Sequence, residues 1–254
     1  MPDSLVLAKL EAGPEIFHSL QGEGASVGTP SVFVRLSRCN LHCVWCDTDY
    51  TWNFAGTSFR HDKDADPAYR KPVRSEVQVT LSDEEIAREI LRHGCDNVIF
   101  TGGEPLLQQP GIVRVMARLR TAMPDVRFEI ETNGTLVPSE ELEVFRPRYN
   151  VSPKLANAGM RTDQCLVPAS LKFFAGCDRA TFKFVCATQD DLAEIREVLD
   201  VHQLPRQRVL LMPEATSREE LEQRRPWLFE LCRQTGFRYS DRLHVAIFGS
   251  RRGV

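Results

Sequence analysis

Apolar runs alternate with amphipathic ones along most of this chain, and that alternation predicts its elements. PSVFVRLS (30–37) is opened by proline and rich in β-branched and aromatic residues, which predicts a strand. SDEEIAREILRHG (82–94) predicts a helix: Ser82 and Glu85 have capping-box spacing, Ile86, Ile90 and Leu91 share a face, and Gly94 stops it. NVIFTGG (97–103) is then a short buried strand running into glycines. The pattern continues with a helix near 110–121, strands at 126–132, 148–152 and 180–187, a helix at 189–202, a strand at 208–214 and a helix at 217–235. LHVAIFG (243–249) reads as a last strand.

Strands alternating with helices imply βαβ units and a mostly parallel sheet. Six or seven strands suit a partial TIM-like α/β barrel, about six parallel strands with flanking helices, better than a complete eightfold one. The 254 residues fit one domain over 1–254, without internal repeats. The polar segment 53–79 breaks the alternation, and its charges and prolines predict a solvated surface insertion. Active sites in such folds collect at the C-terminal ends of the strands, on the loops that follow.

Charge narrows the partners. With 32 Lys and Arg against 35 Asp and Glu, the net charge of −3 argues against a protein dominated by phosphate-backbone contacts, so nucleic acid is not expected. No apolar run approaches the ~20 residues of a membrane span, and the first residues lack a basic region followed by an apolar core. A cytoplasmic protein without membrane contact is expected. Five of the eight cysteines, Cys95, Cys165, Cys177, Cys186 and Cys232, are scattered singly and carry no assigned role. Cys95 and Cys186 lie in or beside apolar runs and read as small buried hydrophobes.

The other three stand together in RCNLHCVWCDT (38–48), just after strand 30–37. Cys39, Cys43 and Cys46 are soft ligands suited to zinc or to an iron–sulfur cluster. Spacing alone leaves those two open, with His42 a candidate fourth zinc ligand. Other predicted strands also end in polar, glycine-containing segments: TGGEP (101–105), ETNG (131–134) and SPK (152–154). Gly102 and Gly103 would let backbone approach a ligand closely, and Glu104 could pair with an ammonium group.

The CxxxCxxC spacing with Trp45 before its last cysteine, followed by Gly102-Gly103-Glu104, resembles the radical S-adenosylmethionine (SAM) enzymes. The resemblance implies a 4Fe-4S cluster on a partial TIM barrel. Three cysteines would bind three irons and leave the fourth open to the amino and carboxylate groups of SAM. Glu104 and its glycines would lie against the methionyl end.

A narrower match, carried by SLQGEG (19–24), Arg35, CDT (46–48), TGGEP, ETNG, SPK and LHVAIFGSRRGV, resembles the 7-carboxy-7-deazaguanine synthase family. That resemblance implies radical ring contraction of 6-carboxy-5,6,7,8-tetrahydropterin with loss of ammonia, a lyase reaction of queuosine and deazapurine biosynthesis. Leu20, Gln21, Gly22, Glu23, Arg35, Thr101 and His244 would hold the substrate. Trp45, Cys46, Asp47, Gly102, Gly103, Glu104, Asn133, Ser152, Pro153 and Lys154 would lie along SAM, and Thr48 would ligate magnesium. An arginine can grip a carboxylate bidentately, and a threonine oxygen suits magnesium, which takes few protein ligands. The family implies a homodimer reduced by flavodoxin or ferredoxin. Two rivals stand beside it: a glycyl-radical-enzyme activating enzyme, and a zinc-binding structural module.

Overall fold

The computed structural model describes residues 4–254. Four strands open the chain: β1 (Ser4–Leu10), β2 (Gly13–Pro14), β3 (Ile16–Leu20) and β4 (Pro30–Leu36). A short helix α1 (Arg74–Val77) leads into β5 (Gln78–Ser82). The alternation then runs α2 (Asp83–Leu91), β6 (Asn97–Gly102), α3 (Gln109–Ala122), β7 (Arg127–Thr132), α4 (Glu140–Glu143) and β8 (Arg148–Val151). It continues with α5 (Thr162–Cys165), α6 (Pro168–Gly176), β9 (Ala180–Cys186), α7 (Asp191–His202), β10 (Val209–Pro213), α8 (Arg218–Thr235), β11 (Arg238–Tyr239) and α9 (Leu243–Phe248).

Strands β4, β6, β7, β8, β9, β10 and β11 pair in that order, all parallel. Beyond β4 the sheet turns antiparallel: β3 pairs β4 from Ile16↔Val34 to Leu20↔Pro30, and β1 joins β4 at Leu7↔Leu36 and pairs β5 along its length. Among the described residues the two ends of this order are not paired with each other. The fold is an open α/β sheet of partial-barrel type, as the alternation predicts.

Side chains alternate across each parallel strand, which separates core from cavity. Val32, Val34, Val98, Phe100, Phe128, Ile130, Phe182 and Phe184 are buried in the main apolar cluster with Ile86, Ile112, Val115, Phe174 and Ile195 of the helices. Each such burial contributes about 1.5–3 kcal/mol. Arg35, Thr101, Glu131 and Lys183, at the alternate positions, line a cavity on the other face. The predicted capping box holds at α2, where Ser82 Oγ accepts from Glu85 N–H at 3.2 Å and Glu85 Oε2 from Ser82 N–H at 2.8 Å. Cys95, Cys165, Cys177, Cys186 and Cys232 are free and buried.

Two expectations are corrected. Residues 243–249, read as a strand, form helix α9 (Leu243–Phe248) ended by Gly249. A short apolar run has no decisive period, and here Ser240 N–H joins Leu211 O while Leu243 N–H joins Gly22 O, carrying the chain off the sheet. The segment 53–79 is not simply a solvated loop. Asn53, Phe54 and His61 are buried, Asp62 N–H donates to Val44 O at 2.7 Å, and Gln78 and Val79 belong to β5. Most of its charges face solvent and Val73 is exposed, but Phe59 stacks on His42 and His61 Nε2 bonds Cys46 O, so part of the segment packs against the cysteine loop.

Candidate functional site

The three cysteines occupy the loop leaving β4, and backbone bonds brace that loop from several sides. Arg38 N–H donates to Thr51 O (2.8 Å), Gly103 N–H to Leu36 O (3.0 Å), Glu104 N–H to Arg38 O (2.9 Å) and Val44 N–H to Ala158 O (3.0 Å). A Cβ on Gly102, whose φ is +117°, would stand 2.0 Å from Leu36 O, and one on Gly103 2.0 Å from Arg38 O. The two glycines line the cavity, yet the close approach they permit is first of all to the cysteine loop itself.

Cys39, Cys43 and Cys46 are free thiols facing one cavity. Leu41 N–H points to Cys39 Sγ at 3.4 Å, Asn133 Nδ2 lies 3.9 Å from the same sulfur, and Trp52 Nε1–H donates to Cys46 Sγ at 3.4 Å. Burial pushes all three thiols up, Cys43 to about 12 although Lys154 opposes the shift. Ligation by a cationic iron centre is what deprotonates such thiols. Three soft donors with N–H groups aimed at two of the sulfurs fit an iron–sulfur cluster. Among the described residues no three His, Cys, Asp or Glu side chains are grouped to hold a single metal ion; cluster thiolates each bind a different iron. His42 stacks on Phe59 with ring centroids 3.5 Å apart and does not line the cavity.

The turn after β3 lines the same cavity. Gln21 Nε2 donates to Glu131 Oε1 at 2.9 Å and to Glu129 Oε1 at 3.1 Å, and Thr101 Oγ1 donates to Glu131 Oε2 at 2.8 Å. Glu23 is buried between two cations, Lys183 from the middle of β9 and Arg242, whose Nε lies 2.8 Å from Glu23 Oε1. Burial raises the Glu23 carboxyl, but Lys183 and Arg242 together hold it well below the usual carboxylate range. Arg242 also donates to Asp47. Burial opposes the Asp47 charge as well, and Arg242 holds its carboxyl low. His244 packs on Gly22, where an added Cβ would meet Nδ1 at 2.4 Å. Burial lowers the His244 imidazole, so it stands neutral near pH 7.

Arg35 lines the cavity, but its Nε is paired with Glu15 Oε1 at 2.8 Å. Glu15 is fully buried and also accepts from Tyr50 and Arg252. Thr48 precedes a short 3-10 turn without capping it; its Oγ1 faces the cavity 3.5 Å from Cys46 Sγ. At the end of β8, Lys154 Nζ donates to Ser152 Oγ at 2.9 Å and lies 5.6 Å from the centroid of Trp45. Trp45 Nε1–H is fixed on Asn157 O at 2.9 Å. Leu20, Gly22, Asn133 and Ser152 complete the expected residues that line the cavity.

Glu104 and Pro153 do not line it. Both are buried, and the Glu104 carboxylate accepts from Asn133 N–H (2.7 Å), Leu106 N–H (2.9 Å) and Thr132 Oγ1–H (2.9 Å). In place of the ammonium pairing expected for it, Glu104 ties the end of β7 to the turn after β6. Sequence reasoning missed Glu15, Glu129, Glu131, Lys183 and Arg242 as site residues. A lone lysine inside TFKFVC and two glutamates spaced i,i+2 in RFEIET are signals that could have found three of them, since an unpaired charge is rarely buried.

The comparisons agree with this geometry. Residues 34–154 match the model of the Radical SAM superfamily. A 7-carboxy-7-deazaguanine synthase from Pyrobaculum aerophilum is 37% identical, over 94% of this chain and 95% of that protein. The enzyme of the same name from Rhodopirellula baltica is 35% identical over 94% and 87%. A crystal structure of QueE from Escherichia coli superposes with a TM-score of 0.64 at 25% identity, covering 95% of each chain. Neither a glycyl-radical-enzyme activating enzyme nor a zinc module is favoured by these matches. With relatives this similar along nearly its whole length, the chain belongs to the 7-carboxy-7-deazaguanine synthase family of the radical SAM superfamily.

Proposed function

We propose that this chain converts 6-carboxy-5,6,7,8-tetrahydropterin to 7-carboxy-7-deazaguanine with release of ammonia, using a 4Fe-4S cluster, SAM and magnesium. The observation that carries the reading is one cavity lined by three thiols and Lys154 together with Gln21, Arg35, Thr101 and Glu131. When bound, the cluster and SAM would supply the one-electron chemistry that removes hydrogen from the substrate. The chain's own work is to bind, orient and exclude water.

Arg35 would hold the substrate carboxylate. Its Nε is fixed by Glu15, and among the described residues no partner takes its terminal nitrogens. Gln21 and Glu131 offer an amide and a carboxylate to the amino-and-amide edge of the pterin, and neutral His244 would stand against its ring. Lys154 would neutralise the SAM carboxylate, with Trp45 and Asp47 along the cofactor. Thr48 would give magnesium a neutral oxygen, the remaining ligands being substrate and water.

The chain would act in the cytoplasm, its cluster reduced by flavodoxin or ferredoxin. Among the described residues no helix is long and apolar enough to cross a membrane. Exposed Phe229, Ile247 and Phe248 on α8 and α9 offer apolar surface to a second copy, consistent with a homodimer. The test is anaerobic incubation of the reconstituted, reduced chain with SAM, magnesium and the carboxypterin. Formation of the deazaguanine acid with ammonia is expected, and a chain with a full cluster that forms none overturns the reading.

A further inference from the structure

Trp52 follows Cys46 by six residues, and its Nε1–H donates to Cys46 Sγ at 3.4 Å. Only 5% of the residue is exposed. A buried indole N–H needs an acceptor, and a thiol sulfur is a weak one. A thiolate bound to iron carries negative charge and accepts more strongly. The indole is also held in one orientation. His42 meets it edge-on at 5.1 Å between ring centroids, Phe59 does so at 5.9 Å, and those two rings stack on each other. His61, 6.2 Å from the indole, bonds Cys46 O through Nε2 at 2.8 Å. Residues 42, 59 and 61 thus fix both the indole and the backbone of the cysteine it serves.

We propose that Trp52 is a positioning residue that sets the reduction potential of the cluster held by Cys39, Cys43 and Cys46, through its Nε1–H bond to Cys46 Sγ. Hydrogen bonds to the sulfurs are among the factors that set iron–sulfur potentials. The reduced cluster carries one more negative charge than the oxidised one, so a donor on its sulfur favours reduction and raises the potential. Losing the donor makes the cluster harder to reduce. This inference rests on the cluster reading above and adds to it a residue outside the cysteine motif.

The test compares the reconstituted wild-type chain with Trp52→Phe and with a chain whose Trp52 indole is replaced by benzothiophene, which keeps the ring shape and lacks the N–H. Iron and sulfide per chain are counted, and the midpoint potential is measured by redox titration followed by electron paramagnetic resonance, without SAM. The expected result is wild-type iron content with a more negative midpoint in the benzothiophene chain, and the same sign of shift in Trp52→Phe. Full iron content with an unchanged or more positive midpoint in the benzothiophene chain overturns the role of Trp52 alone. A wild-type chain that assembles no cluster overturns the cluster reading and this inference with it.

Discussion

Arg35 Nε lies 2.8 Å from Glu15 Oε1, and this pair ties the strand before the cysteine loop to the turn before β3. Glu15 is fully buried, and its other oxygen accepts from Arg252 Nη2 at 2.6 Å. The Arg252 guanidinium in turn lies 3.5 Å from the centroid of Tyr50, whose hydroxyl donates to Glu15 at 3.1 Å. One carboxylate therefore compensates two guanidinium groups. Glu15→Gln keeps the shape and removes the charge, taking from Arg35 and the partly exposed Arg252 the buried carboxylate they share. The expected cost is about 3–5 kcal/mol of unfolding free energy, read as a lower urea midpoint at unchanged m. Arg252→Ala, which leaves the Glu15–Arg35 pair intact and removes a partly exposed partner, should cost clearly less.

Gly103→Ala should damage the cysteine loop without unfolding the sheet. Its Cβ would stand 2.0 Å from Arg38 O and 2.6 Å from Arg38 C, backbone atoms that no rotamer can move. Arg38 itself sits at φ 76°, and its carbonyl accepts from Glu104 N–H. Relief of the clash must shift Cys39. Overpacking of this kind costs about 1–3 kcal/mol, and the specific readout is iron bound per chain after reconstitution, expected well below wild type with unchanged far-ultraviolet circular dichroism. Gly22→Ala is the comparison: its Cβ would meet the His244 ring, Nδ1 at 2.4 Å, and His244 backbone N at 3.2 Å, atoms of the C-terminal helix and not of the cysteine loop, so cluster assembly should survive.

These two sites also mark what the sequence makes legible. The cysteine loop and the segments TGGEP, ETNG and SPK stand out because each is local in the chain and follows a recognisable strand. Their partners are not local: Glu15 meets Arg252 across 237 positions, and Glu23 meets Arg242 across 219. No pattern in a single sequence announces such a pair. The strands of the barrel read as simply buried, yet Glu129, Glu131 and Lys183 occupy the inward half of their period-two alternation, where Glu131 and Lys183 line the cavity and Glu129 braces Gln21. Strands β1, β3 and β5 escaped for a related reason, being antiparallel additions without helices to frame them. Helix α9 was misread because its apolar run is short and half exposed, with Ile247 at 50% and Phe248 at 43%.

In the function proposed above, Thr48 gives magnesium its protein ligand. Its Oγ1 lies 3.5 Å from Cys46 Sγ and caps no helix. Thr48→Ser keeps an oxygen at the same branch point and should retain the response of turnover to magnesium. Thr48→Ala should weaken that response by about tenfold or more, with iron content and SAM affinity unchanged. Titration of the initial rate against magnesium in the three chains decides it. An alanine variant with the wild-type magnesium curve removes Thr48 from the metal site.

Glu104 predicts a pH dependence of the cluster-free chain. Burial pushes its carboxyl up to about 7, against the N–H groups of Asn133 and Leu106 and the hydroxyl of Thr132, while the ordinary value of 4.5 applies in the unfolded chain. Between those values the folded state holds a proton that the unfolded state has released. Stability then falls as pH rises, because the slope follows the protons bound by the unfolded state minus those bound by the folded one. The favourable contribution is complete below about 4.5 and gone above about 7, with a slope of at most about 1.4 kcal/mol per pH unit. Glu104→Gln cannot titrate, and its amide N–H would face the N–H of Asn133, so it starts less stable. The advantage of wild type over Glu104→Gln should be largest at the acid end of this window and shrink towards neutrality. Urea midpoints of both chains across the window measure it, and parallel curves would show that this carboxyl binds no extra proton on folding.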